Sequence, residues 1–92
     1  MRIGMFESFM TSYWFSAEAK HIWSDTATLQ AWLKVEAALA EAQAALGVIP
    51  AEAAAVIAQK ADAGLFDTAR LERDIAFAQH PLTPVLHQFE AL

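Results

Sequence analysis

Three imidazoles, His21, His80 and His87, are the only side chains in this sequence whose ordinary titration falls near neutrality, so they are the first candidates for proton transfer. His80 stands apart from the other two. It directly precedes Pro81, between two apolar segments, and proline drives the residue before it out of the α region. A residue at such a break is held in one direction and often faces a cleft, where an imidazole can hydrogen-bond a carboxylate or assist proton transfer. The other reading of His80 is a capping or packed ring. Glu18 with His21, and His87 with Glu90, are pairs three residues apart that could each supply two metal ligands. Such pairs are ordinary on helix surfaces, and no metal site is expected from them. Glu36 lies on an apolar stripe between Leu33 and Leu39. A carboxylate there must find a partner, either in a structural hydrogen bond, the commoner case, or in catalysis. Tyr13, Trp14, Trp23 and Trp32 could line a ligand box, although aromatics at helical spacing more often form core.

The familiar signatures of chemistry are missing. There is no phosphate-binding glycine loop, dinucleotide fingerprint, nucleophile elbow or metalloprotease motif, and no cofactor is expected. Cysteine is absent, which removes disulfides, zinc fingers and thiol chemistry. Six Lys and Arg stand against eleven Asp and Glu, for a net charge of −5, with no basic cluster. Neither nucleic acid nor an anionic membrane is an expected partner. The longest apolar run is Ala53 to Ala58, far short of the roughly 18 residues a membrane-spanning helix needs. The first 20 residues carry Arg2, Glu7 and Glu18 with no continuous apolar stretch, so no signal peptide is expected and a cytoplasmic location is the default.

The elements that must position these residues read as helices, and the chain is expected to be all-α. Residues 1–15, with Phe6, Phe9, Tyr13, Trp14 and Phe15, show no clean period and predict an irregular aromatic-rich arm. Residues 16–92 predict a helical domain. Ser16 caps a short helix to about Trp23, with Glu18 near its positive end. About four main helices follow. Ser24 or Asp25 starts the strongest, in which Leu29, Trp32, Leu33, Glu36, Leu39, Ala40, Gln43 and Leu46 share one face. Gly47 suits the left-handed position that ends a helix. Pro50 fits the first position of the next helix, which runs to about Ala61 and stops near Gly64. Asp67 caps a third over Thr68 to Ala78, and His80-Pro81 breaks it. Thr83-Pro84 reads as cap and first residue of a fourth, with no stop signal before Leu92. That ending predicts a piece of a larger helical protein.

Composition points the same way. Hydrophobic residues make up 57% of the 92. A domain this short buries only roughly 60–65% of its unfolded surface. Much apolar surface is therefore left for another chain or domain to cover, unless the segment is a stand-alone helical interaction module.

Three runs carry a resemblance: Ile22-Trp23-Ser24-Asp25, Ala31-Trp32-Leu33-Lys34-Val35-Glu36 and Ala45-Leu46-Gly47-Val48-Ile49-Pro50. Together they resemble the N-terminal segment of the fumarase/aspartase superfamily, nearest the branch of adenylosuccinate lyase and 3-carboxy-cis,cis-muconate cycloisomerase. The resemblance covers residues 13–92. It implies a large all-α homotetramer with active sites assembled from several subunits, acting on a dicarboxylate by anti-elimination of a C–N or C–O bond or by a related ring closure. It also implies that the serine base loop and the principal acid histidine lie in later domains, so this chain alone is expected to be inactive. By position, His80 in Ala78-Gln79-His80-Pro81-Leu82-Thr83-Pro84-Val85 falls on a family histidine that reaches the substrate, with Pro81 where adenylosuccinate lyases carry Asp. Tyr13-Trp14 falls where those lyases place an Arg-Tyr pair on a nucleotide phosphate, which implies a substrate contact without that cation.

Overall fold

The computed structural model of the chain describes residues 4–92; the first three residues of the arm expected over 1–15, Arg2 among them, lie outside the described residues. Five α-helices follow one another: α1 (Ala17–Ile22), α2 (Asp25–Ala45), α3 (Ala51–Lys60), α4 (Thr68–Ala78) and α5 (Leu82–Ala91). Single 3₁₀ turns at Ser12–Trp14 and Ala63–Leu65 complete the regular structure, and no strand occurs among the described residues. The chain is all-α, as expected.

Local chemistry sets most of the boundaries. The hydroxyls of Ser16 and Ser24 accept hydrogen bonds from the Ala19 and Ala27 amides at 3.0 and 3.2 Å, each satisfying a donor that a helix start leaves orphaned. At the end of α2, Gly47 takes φ +74°. The Val48 amide then donates to the Gln43 carbonyl at 2.8 Å and the Gly47 amide to Ala44 at 3.1 Å, both bonds of a left-handed helix stop. Asp67 caps α4 through Oδ1, which accepts from the Arg70 amide at 3.1 Å.

Two starts differ from the sequence expectation. Pro50 is the extended residue ahead of α3 rather than its first helical residue, a shift of one position. The last helix begins at Leu82 instead of after Thr83. Two positions of its first turn leave no unpaired donor there. Pro84 carries no N–H to leave unpaired, and the Leu82 N–H donates to the side chain of His80 at 3.2 Å. Thr83 is not needed as a cap.

The core is small. Leu29 and Leu33 of α2 meet Ala63, Phe66, Leu71 and Val85, with Trp32, Ala61, Ile75 and Phe89 packed around them. Leu33 is the one side chain in this cluster with no exposed surface. Two glutamines tie the helices to the loops between them. The Gln30 amide of α2 donates to the Ala61 carbonyl and accepts from the Ala63 amide, both at 2.9 Å. The buried Gln88 of α5 accepts from the Asp67 amide at 2.5 Å and donates to the Asp67 carbonyl at 3.2 Å. Each side-chain amide spends its donor and acceptor on peptide groups of a loop or a helix end.

The molecule is long and open, 53 × 29 × 19 Å with a radius of gyration of 16.1 Å. A compact chain of this length has a radius of about 12 Å. Its accessible surface is 7112 Å², against about 5,300 Å² for a compact monomer of this mass. The aromatic core expected from the sequence is only partly realised. Trp32 packs against the core, but Tyr13, Trp14 and Trp23 are 76%, 62% and 72% exposed. These three flank α1, which packs on α2, and the described residues leave them largely uncovered. Leu39 on α2 and Leu46 just past its end are likewise exposed although the sequence pattern puts them on one face with Leu33.

Candidate functional site

His80 occupies the corner between α4 and α5, set by two backbone conformations and one bond to its own ring. Gln79, which ends α4, adopts φ 55° and ψ 29°, a left-handed conformation without glycine, and its N–H donates to the Ile75 carbonyl at 2.7 Å. Pro81 follows at φ −80° and ψ −31°. The His80 Nδ1 atom accepts from the Leu82 N–H at 3.2 Å, so the ring caps α5. The capping alternative considered for His80 is thus seen directly. Since the cap uses only one ring nitrogen and the residue is exposed, it leaves the rest of the ring open to other contacts.

Below this corner the α4–α5 hairpin is held by Gln88 on Asp67 and by Phe66 against Phe89, whose ring centroids lie 6.1 Å apart. Gln88 was not a candidate in the sequence. It lies on the stripe of Pro84, Val85 and Phe89, and a polar residue on a buried stripe is the signal that could have exposed it.

Glu36 lies half-buried on α2 and borders an open groove of about 380 Å³ between α2, α3 and α5, with Leu39, Val56, Phe89 and the charged Lys60 and Glu90. No hydrogen bond or ion pair to its side chain is seen among the described residues. Its stripe opens toward solvent here, so the carboxylate remains hydrated and does not require the structural partner expected for it.

Tyr13 and Trp14 pack edge to face on each other, centroids 6.0 Å apart. Among the described residues, no hydrogen bond or ring contact joins either of them to His80. His21 is exposed near the end of α1, and His87 is exposed on α5. No group of three or more His, Cys, Asp or Glu side chains that could hold a metal ion occurs among the described residues. No helix among them is long and apolar enough to cross a membrane.

No protein-family model matches the sequence, and no solved structure is significantly similar to the chain. Curated enzymes do match. An N-acetyl-S-(2-succino)cysteine lyase of Enterococcus italicus is 42% identical over 76 residues, covering 83% of this chain and 17% of that enzyme. A 3-carboxy-cis,cis-muconate cycloisomerase of Pseudomonas aeruginosa is 37% identical over 75 residues, covering 82% and 16%. An adenylosuccinate lyase of Deinococcus radiodurans is 42% identical over 60 residues, covering 65% and 14%. The chain belongs to the fumarase/aspartase superfamily.

It spans about one sixth of the length of these superfamily relatives. The runs that carry the resemblance have identifiable physical roles in the fold. Ser24 is the cap of α2, Trp32 and Leu33 belong to the core, and Gly47 makes the left-handed stop that turns the chain toward α3. These superfamily residues build the α2–α3 hairpin, while His80 stands on the separate α4–α5 corner.

Proposed function

We propose that the chain is the helical N-terminal domain, over 16–92, of a longer lyase or cycloisomerase, with the arm over 1–15 in front of it. It contributes side chains to an active site and is inactive alone. The 42% identity with a succinocysteine lyase over 83% of this chain carries the reading. The parent acts on a small dicarboxylate of succinyl or muconate type, in the cytoplasm, as a homotetramer. The names of the relatives add a carbon–sulfur bond to the C–N and C–O bonds expected from the sequence. A base removes the proton adjacent to the departing atom, the carboxylate stabilises the resulting carbanion, and an acid protonates the leaving group. The base and the principal acid belong to later domains. This segment supplies His80 at the substrate, with Tyr13 and Trp14 as further contacts. The large accessible surface supports covering by the remaining domains and neighbouring subunits, since an excess near 1,800 Å² is of the size that stable protein interfaces bury.

The test is an assay of the full-length protein and of the purified 92-residue chain with N-acetyl-S-(2-succino)cysteine, 3-carboxy-cis,cis-muconate and adenylosuccinate. The full-length protein should turn over a succinyl or muconate substrate, and the chain alone should read background. Adenylosuccinate should be poor, because a phosphate dianion calls for a cation and Tyr13-Trp14 supplies none. Clear turnover by the chain alone would overturn the placement of the chemistry, and efficient cleavage of adenylosuccinate would overturn the specificity.

A further inference from the structure

We propose that the groove between α2, α3 and α5 seats an amphipathic helix from a later part of the same polypeptide, with a basic residue of that helix against Glu36 and Glu90 and an acidic one against Lys60. The inference rests on the reading that the chain is one domain of a longer lyase or cycloisomerase, and it names what covers this face of the domain.

The groove has an apolar floor and a charged rim. Leu39 of α2, Val56 of α3, Leu86 of α5 and Leu92 line it, and each is between 38% and 53% exposed. They stand on separate elements, so a change of rotamer in one of them cannot close the gap. Large apolar side chains gathered on one open face and rimmed by polar groups mark an interaction site. Among the described residues, no buried polar side-chain atom lacks a partner, so no unsatisfied group waits inside the groove to orient a small ligand. A helix needs no such group, because it fills a groove with side chains spaced three and four apart.

Charge selects the flanks of that helix. Glu36, Lys60 and Glu90 border the groove, and no ion pair joins them to one another or to any other described residue. A helix with a base on one flank and an acid on the other completes these pairs, whereas reversed flanks would set like charges together. Area and chain length select its source. The accessible surface exceeds that of a compact monomer by about 1,800 Å², which is within the range that stable interfaces bury. The curated relatives are about six times as long as the part that matches. A helix on the same polypeptide meets the groove at an effective concentration on the order of millimolar, and a separate partner has no such advantage.

The test is photo-cross-linking in the full-length protein, assembled from mixed ¹⁴N and ¹⁵N subunits. The photoreactive residue p-benzoylphenylalanine replaces Val56 in one variant and Leu86 in another, so that a failure of either to fold leaves the second. Both positions should trap one and the same peptide from beyond residue 92. Its isotopic form should always match that of the groove, and its apolar residues should recur at helical spacing between a basic and an acidic flank. Mixed isotopic pairs would overturn the inference in favour of a second subunit. A trapped peptide from within residues 1–92, a peptide without that pattern, or no trapped peptide would also overturn it. Turnover of a succinyl or muconate substrate by the same protein keeps the two readings apart. With turnover present, any of these failures would remove this inference alone; with turnover absent, the underlying reading fails, and the trapped peptide still decides what fills the groove.

Discussion

Replacing Gln88 with leucine probes the support beneath the His80 corner. The substitution keeps most of the side-chain volume and removes both hydrogen bonds to Asp67. Their loss is unequal. The Asp67 carbonyl keeps the helical bond it accepts from the Leu71 amide at 3.0 Å, whereas the Asp67 N–H loses the partner that Gln88 provides. An unpaired amide costs about 1–3 kcal/mol, and because Asp67 is itself exposed, water recovers part of this. A local cost of about 1.5 kcal/mol follows, or about tenfold in the opening equilibrium. Hydrogen exchange of the intact full-length protein, followed by mass spectrometry, reads this directly. Peptides covering residues 66–71 should exchange about tenfold faster in Gln88→Leu, while those covering the middle of α2 should not change. Unchanged exchange over 66–71 would refute the claim that Gln88 holds the start of α4.

Two further substitutions test the fold around the site. Gln79→Gly should stabilise the full-length protein by about 0.5–1 kcal/mol, since glycine enters the left-handed region without a Cβ penalty; a lower melting temperature would contradict the conformation at this corner. Leu33→Ala empties the fully buried position where α2 meets the 63–66 turn and α5, and should cost about 2–5 kcal/mol in denaturant unfolding; a cost below about 1 kcal/mol would mean that this cluster is not the core.

What the sequence made legible was largely what a few neighbouring residues decide. Ser16, Ser24 and Asp67 cap helices within three positions of themselves, and Gly47 stops α2 through bonds to its own last turn, so type and spacing were enough. Long-range hydrogen bonds were harder to read. Gln30 and Gln88 bond backbone groups 31–33 and 21 positions away, and a glutamine on a helix resembles ordinary surface until its partner is known. The same stripe logic that singled out Glu36 applied to Gln88, and it gave the wrong emphasis because burial depends on what covers the stripe. Residue type also misled for Tyr13, Trp14 and Trp23, which are large and apolar yet have little of this chain packed over them. At the His80-Pro81 break the helix end was plain, but the restart at Leu82 depended on the ring of His80 turning back as a cap. The sequence offered that cap only as an alternative.

The claim that this small helical segment reaches into an active site is tested most directly by His80→Ala in the full-length protein, with kcat/KM and melting temperature measured on the same preparation. The account predicts a fall in kcat/KM of about 10²-fold. The loss of one cap, about 1 kcal/mol, should leave the melting temperature within a few degrees. His87→Ala, on an exposed face of α5, is the control and should change neither by much. A marked loss of stability with near-normal turnover in the protein that remains folded would contradict the account and leave His80 as a cap of α5.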